Sequence, residues 1–273
     1  MMGVMLYHYT SLDALIKIVE GGVFWASNIH YLNDGREVAH AVQIVESEFL
    51  RLAHERVEHQ YFVNIVRELL AGSSSPNVFV VSFSENGDLL SQWRAYCPPG
   101  RGVSIGIQEE DLRGAVAAQG LRFVQCVYDP DQQRAIAAEM VERLLSEYEQ
   151  LEDGADTDHR ADCGELASVF VDDVAYVAPA VKDPAFSEER EWRVVWRRRG
   201  SRRDIQHRQG TSFIVPFVEF PVPSVYDRLA ISEVVVGPTA HAELSQEAIR
   251  SLLGSCRIPA HNVRLSRVPF RAW

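Results

Sequence analysis

The side chains best suited to chemistry lie in a few short stretches, of which the most acidic is Phe186-Ser187-Glu188-Glu189-Arg190-Glu191-Trp192-Arg193, running into the apolar Val194-Val195-Trp196. Alternate residues of an extended chain share a face, so Glu189 and Glu191 are expected side by side. Like carboxylates repel, which raises the pKa of one, and such pairs are common where protons move or a cation develops. A solvated charge run at a strand start would account for the same residues.

Three further clusters are polar beyond what a plain core needs. Tyr7-His8-Tyr9-Thr10 puts an imidazole among aromatics near a strand end. There it could bond a ligand hydroxyl while a ring stacks on a flat base. Taken alone, a satisfied structural histidine explains it. Ser82-Phe83-Ser84-Glu85 leads to Leu89-Leu90-Ser91-Gln92-Trp93-Arg94-Ala95-Tyr96. Hydroxyls where a buried strand ends can orient a carboxylate or a ribose. Trp93 and Tyr96 share a helix face that ordinary packing would also explain, and Arg94 could clamp a phosphate or pair with an acid. Asn33-Asp34 with Arg36 and Glu37 is accounted for by turn and helix-start preferences.

These groups need a scaffold, and 273 residues with 47% hydrophobic content supply one. A net charge of −11 argues against a general nucleic-acid coat, though Arg197 to Arg203 makes a local basic run that a solvated hairpin would also explain. Cys97, Cys126, Cys163 and Cys256 are scattered, which fits a reducing compartment rather than a disulfide or zinc framework. The nine histidines form no H-x-x-x-H set, so no metal is expected. Gly100-Arg101-Gly102-Val103 is too short for a phosphate loop. With no basic-then-apolar leader and no long apolar run, a cytoplasmic protein without membrane contact is expected.

Pattern and breakers predict a strand over 4–9, a helix capped by Ser11 and stopped at Gly21-Gly22, and a strand over 24–27. A long amphipathic stretch follows, roughly Glu37 to Leu70. Strands are predicted over 77–83, 102–107, 121–128, 191–197, 211–220, 233–236 and 262–268. Helices are predicted over 89–96, 132–151, 164–177 and 242–253, with an acidic loop over 152–162. Without strict β-α-β alternation this is an α+β fold with a mixed or antiparallel sheet, a single domain over 1–273 with a helical elaboration around 130–180.

In order along the chain, Leu6-Tyr7-His8-Tyr9-Thr10-Ser11, Leu32-Asn33-Asp34, Ser82-Phe83-Ser84, Leu89-Leu90-Ser91-Gln92-Trp93-Arg94-Ala95-Tyr96, Glu189-Arg190-Glu191-Trp192-Arg193 and Val235-Val236-Gly237-Pro238 resemble a bacterial family of unknown function. That family in turn resembles the ADP-ribosyltransferase superfamily. The resemblance implies split mixed or antiparallel sheets with flanking helices, a cleft between them, and NAD⁺ as substrate. It places His8 on the nicotinamide-side ribose and Ser82 and Ser84 at a Ser-x-Ser motif. Glu189 and Glu191 fall at a Glu-x-Glu whose last member stabilises the oxocarbenium-like state, while the first could deprotonate the nucleophile. Tyr9 or Trp93 would stack on nicotinamide, with Thr10, Asn33 and Arg94 completing the cofactor contacts. A first-strand His is usual in the diphtheria-toxin-like branch and the two other motifs in the Arg-first branch, so no acceptor follows by analogy.

The function so implied is an NAD⁺-dependent ADP-ribosyltransferase or NAD⁺ glycohydrolase, in the manner of a bacterial toxin or phage-defence effector. Its partners would be NAD⁺, an acceptor protein or nucleic acid, and an antitoxin. Two other classes stand beside it: a non-catalytic sensor of NAD⁺ or a nucleotide, and a nucleic-acid-modifying or nucleic-acid-binding protein.

Overall fold

The computed structural model describes residues 3–32, 37–54, 60–72, 77–152, 159–197, 204–210, 212–259 and 262–269. Asn33, Asp34, Arg36 and the basic residues 198–203 lie outside them.

The chain enters β1 (Met5–Ser11) and turns directly into α1 (Leu12–Gly21), where the Ala14 N–H donates to the Ser11 hydroxyl at 3.1 Å. That satisfies one of the donors a helix start leaves open. Gly22, at φ 67°, ends the helix in the left-handed conformation that glycine adopts without steric cost. β2 (Val23–Asn28) follows.

The long amphipathic stretch holds two helices, α2 (Glu37–His54) and α3 (Gln60–Gly72). The apolar stripes of both enter the same core.

Next come β3 (Val78–Ser84), α4 (Leu90–Tyr96) and β4 (Gly102–Gln108). Residues 109–118, for which no element was predicted, form α5 (Glu109–Ala118), with Glu109, Glu110 and Asp111 in a first turn whose dipole favours acids. β5 (Arg122–Gln125) is shorter than predicted, and α6 (Pro130–Glu152) and α7 (His159–Val177) follow. Thus 159–162, predicted as acidic loop, already belong to a helix. The last third holds β6 (Glu191–Arg197), β7 (Gln206–Gln209), β8 (Ile214–Pro221), the small hairpin of β9 (Ser224–Val225) and β10 (Arg228–Leu229), β11 (Glu233–Val236), α8 (Ala242–Ser255) and β12 (Val263–Leu265).

The main sheet is mixed, antiparallel except where β11 meets β12. Its centre is β3. One edge of β3 pairs with β6 along its whole length. The other edge is shared: β2 takes Phe79 and Val80, and β1 touches only at Tyr7 opposite Ser84. From there β1, β4, β11 and β12 lead one way, and β2, β8 and β7 the other. The sheet is therefore split between β1 and β2, as the α+β expectation with split sheets requires.

Alternation along β3 sends Phe79, Val81 and Phe83 into a core with Leu15 and Ile18 of α1, Leu112 of α5 and Leu253 of α8. A second core, made of Phe49, Phe62, Leu145 and Phe170 among others, joins α2, α3, α6 and α7. Among the described residues, ten of its seventeen buried members fall within 130–180. The other seven come from the long amphipathic stretch near the N-terminus.

Candidate active site

Among the described residues the split leaves part of one edge of β3 without a strand partner, and a side chain fills the gap. His8 Nδ1 lies 3.0 Å from the Ser82 carbonyl oxygen. A carbonyl only accepts, so Nδ1 carries the proton and Nε2 is an acceptor. The ring packs against Phe24 and Phe83, with centroids 4.9 and 5.8 Å away. Burial pushes its pKa below the ordinary histidine value, against the smaller pull of the Ser82 bond. His8 is thus a neutral imidazole of fixed tautomer.

A cleft opens at this point, lined by Tyr7, His8, Tyr9, Ser82, Phe83, Ser84, Gln92, Tyr96 and Glu191. Ser84 lies opposite Glu191 and Ser82 opposite Arg193 in the β3–β6 register, so these four share one face of the sheet. Ser84 is buried, and its hydroxyl donates to the Glu189 carbonyl at 2.7 Å and accepts from the Asn86 N–H at 3.1 Å. It anchors the acidic turn to β3.

Glu189 and Glu191 do come together, but not by strand alternation. Glu189 ends a 3-10 turn, Pro184–Glu189, and Glu191 begins β6. Arg190 between them has φ 41° and ψ 55°, a left-handed conformation uncommon for a residue with a side chain. This kink lets both carboxylates turn inward, where the first is 5% and the second 4% exposed.

Two cations meet them. Arg193 Nε donates to Glu191 Oε1 at 2.7 Å and its Nη2 to Oε2 at 3.0 Å, a bidentate pair. The Lys182 ammonium bridges Glu189 Oε2 and Glu191 Oε2, with the Phe186 ring 5.2 Å away. Burial works to raise the Glu191 pKa, yet Arg193 and Lys182 outweigh it and hold the carboxyl at about 2. For Glu189 burial prevails over Lys182, and its pKa is raised. Burial alone would lower the Lys182 pKa, and the Glu191 charge reverses this. The expected splitting of two carboxylates exists, with burial and unequal access to the cations, more than mutual repulsion, as its cause.

Other predicted site residues sit differently. Tyr9 and Trp93 are 7% and 5% exposed and pack edge-to-face on each other at 4.6 Å. The Tyr9 hydroxyl donates to Asn86 O and accepts from Leu89 N, while Trp93 Nε1 donates to Asp88. Their aromatic faces are used for packing. Thr10 is half-buried, and its carbonyl accepts from the Cys97 thiol. Arg94 is exposed on α4. Asn33 lies outside the described residues.

Sequence reasoning named Tyr7 only as part of the Tyr7-to-Thr10 run and did not name Lys182, Arg193, Gln92 or Tyr96 as site residues. Arg193, Gln92 and Tyr96 stood inside the quoted motifs, and Arg193 faces the cleft side because it is two on from Glu191. Lys182 had no local signal. Its backbone is held by Val127, to which its N–H donates at 3.1 Å, and by Gln133, which donates to its carbonyl at 2.7 Å. Among the described residues no His, Cys, Asp or Glu cluster could hold a metal ion, and no helix is long and apolar enough to cross a membrane.

A family model described as "Protein of unknown function (DUF2971)" matches residues 92–194, from α4 into β6 and less than half of the chain. No curated protein matches. Among solved structures, Thermus sp. 2.9 DarT in complex with NAD+ aligns at 11% identity over 97% of this chain and 96% of that one, with a TM-score of 0.36. The same protein in complex with ADP-ribosylated ssDNA aligns at 13% identity over 97% and 95%, again at 0.36. Superposition that loose says nothing of how this chain's residues act.

Proposed function

We propose that the cleft at the sheet split binds NAD⁺ and that the protein transfers the ADP-ribosyl group. The observation that supports this most is that His8 and Glu191, remote in sequence, line one cleft together with Ser82 and Ser84. In such a reaction the nicotinamide leaves with the electron pair of its bond to the ribose, as a neutral base. Positive charge spreads over the sugar until a nucleophile adds at the same carbon and loses its proton. Glu191, ionised at any ordinary pH, is the fixed charge that favours this state over the ground state. Glu189, with its raised pKa, is the candidate acceptor for the nucleophile's proton. His8 Nε2 would accept from a ribose hydroxyl. The nucleophile is water or an acceptor macromolecule, protein or nucleic acid. Toxin or phage-defence action would then show as growth arrest on expression, relieved by Glu191→Gln.

The direct test is incubation with NAD⁺ labelled in its adenylate half, with lysate protein or with single-stranded nucleic acid. Wild type should release nicotinamide and fix label, and Glu191→Gln should not. Equal backgrounds from both would remove the transferase reading.

A second reading is binding without turnover. It draws on the Glu191 carboxylate being already held by Arg193 and Lys182. Tight binding of NAD⁺ by calorimetry, with no nicotinamide released, would favour it.

A further inference from the structure

Four charged side chains form one buried group beside the cleft. Glu191 and Arg193 pair bidentately, and Lys182 joins that pair to Glu189. None is more than 5% exposed, and two cations balance two anions. Buried ions are costly unless fully paired, so a lysine placed here by a pinned backbone is a built feature. The pinning is specific. Val127 N–H donates to Ala180 O at 2.7 Å and Lys182 N–H to Val127 O, while Gln133 Nε2 donates to the carbonyls of both Val127 and Lys182 at 2.7 Å.

The consequence concerns Glu191. Arg193 occupies one direction at each of its oxygens and Lys182 a second at Oε2. A ligand that approaches Glu191 from the cleft therefore meets a carboxylate whose charge is already answered, with an ammonium beside it. A cationic ring gains less there than it would beside a carboxylate held by Arg193 alone, whereas a neutral ring of the same shape is little affected by the difference.

We propose that Lys182 is a specificity-determining residue, an internal cation that competes with the positively charged part of a ligand for Glu191. This rests on the reading that the cleft takes a nicotinamide-type ligand. Lys182 makes the cleft favour the neutral form of the ring, and a cationic form is favoured only where Lys182 gives up Glu191 and stays on Glu189. Phe186, over the ammonium and itself 37% exposed, lies on the exposed turn 183–188 that connects Lys182 to the two acids.

Two probes of nearly equal shape separate charge from size: nicotinamide, which is neutral, and 1-methylnicotinamide, which is a cation. Their affinities are measured by calorimetry on the full chain as wild type, Lys182→Met, Glu189→Gln and the double variant Lys182→Met/Glu189→Gln. The double variant leaves no unpaired acid in place of Lys182, so it keeps the test valid where Lys182→Met alone fails to fold. Wild type should prefer nicotinamide. Both variants lacking Lys182 should shift the ratio of affinities toward the cation by roughly tenfold or more. Glu189→Gln, which leaves Lys182 to Glu191 alone, should shift it the other way. A ratio unchanged within about twofold across all four proteins overturns the assignment.

Nicotinamide release from NAD⁺ is followed on the same samples. A shifted ratio without turnover supports the role of Lys182 and removes the transferase reading. Turnover with an unchanged ratio, or with neither probe bound, removes the role of Lys182 and leaves the transferase. No binding and no turnover in any of the four overturns both.

Discussion

His8 Nδ1 donates to the Ser82 carbonyl across the opening between β1 and β2, at 3.0 Å. The imidazole does there what a strand would do elsewhere, and the same bond fixes which nitrogen faces the cleft. His8→Phe keeps the ring volume but leaves that carbonyl without its donor, which should cost about 1–3 kcal/mol. His8→Asn, which retains a donor, should cost less. Denaturant melts of the two variants check the order, and equal losses would mean that the bond contributes nothing.

The histidine also carries a pH signature. Its folded pKa lies below the usual value because burial disfavours the cation. The unfolded chain therefore binds the proton more readily as pH falls below about 6.5. Stability owed to neutral His8 is fully present above that pH and is lost as pH falls toward the lowered folded pKa. Between pH 7 and 5 wild type should lose more stability than His8→Asn. The ring's ¹⁵N shifts should report an Nδ1–H tautomer throughout the neutral range.

Much of this arrangement was legible in the sequence. Ser11 as cap, Gly22 as stop and the β-branched run of β3 announce themselves through local preferences. The shared face of Ser82, Ser84, Glu191 and Arg193 follows from period-two alternation once register is known. Two features were out of reach. The shared core of α2, α3, α6 and α7 depends on which apolar faces meet, which periodicity does not record. Lys182 reaches the site through backbone bonds to Val127 and Gln133, residues remote from any motif. The Glu189–Glu191 pairing was reached for the wrong local reason, since a left-handed Arg190 does what alternation was expected to do.

Glu191 contributes to the acid limb of stability. Its pKa of about 2, against 4.5 for the free group, reflects Arg193 and Lys182 overcoming burial. A lowered carboxylate pKa stabilises above the unfolded value, and that stability disappears as pH falls from about 4.5 to about 2. The stability difference between wild type and Glu191→Gln should be roughly 3 kcal/mol larger at pH 7 than near pH 2. Parallel urea melts over this range would show it. A pH-independent difference would mean that the buried group is not ionised as described.

Gly87 is packed under a wall of the cleft. A Cβ there would lie 2.4 Å from Tyr7 Cε1, while the Gly87 carbonyl accepts from Ser104 Oγ at 2.7 Å and so resists displacement. Gly87→Ala must push the Tyr7 ring aside, away from the Glu233 carboxylate to which its hydroxyl donates at 2.9 Å. Overpacking of this kind costs about 1–3 kcal/mol. The sharper expectation is functional: NAD⁺ affinity by calorimetry should fall several-fold even in protein that remains folded. Unchanged affinity would place Tyr7 outside the binding surface.

Arg190 separates backbone demand from side-chain chemistry. At φ 41° it holds a conformation that costs a non-glycine residue about 1 kcal/mol or more, and a β-branched residue is a worse fit still. Its guanidinium is largely exposed, 3.8 Å from Glu85, a contact worth little in water. Arg190→Gly should therefore melt at or above the wild-type temperature and keep whatever turnover wild type shows. Arg190→Val should lose about 1–2 kcal/mol and most of that turnover, because the kink that turns Glu189 and Glu191 inward is the feature it opposes. If the two variants behave alike, the left-handed turn is not what aligns the carboxylates. If Arg190→Gly alone loses turnover while its melting point holds, the guanidinium itself takes part in binding.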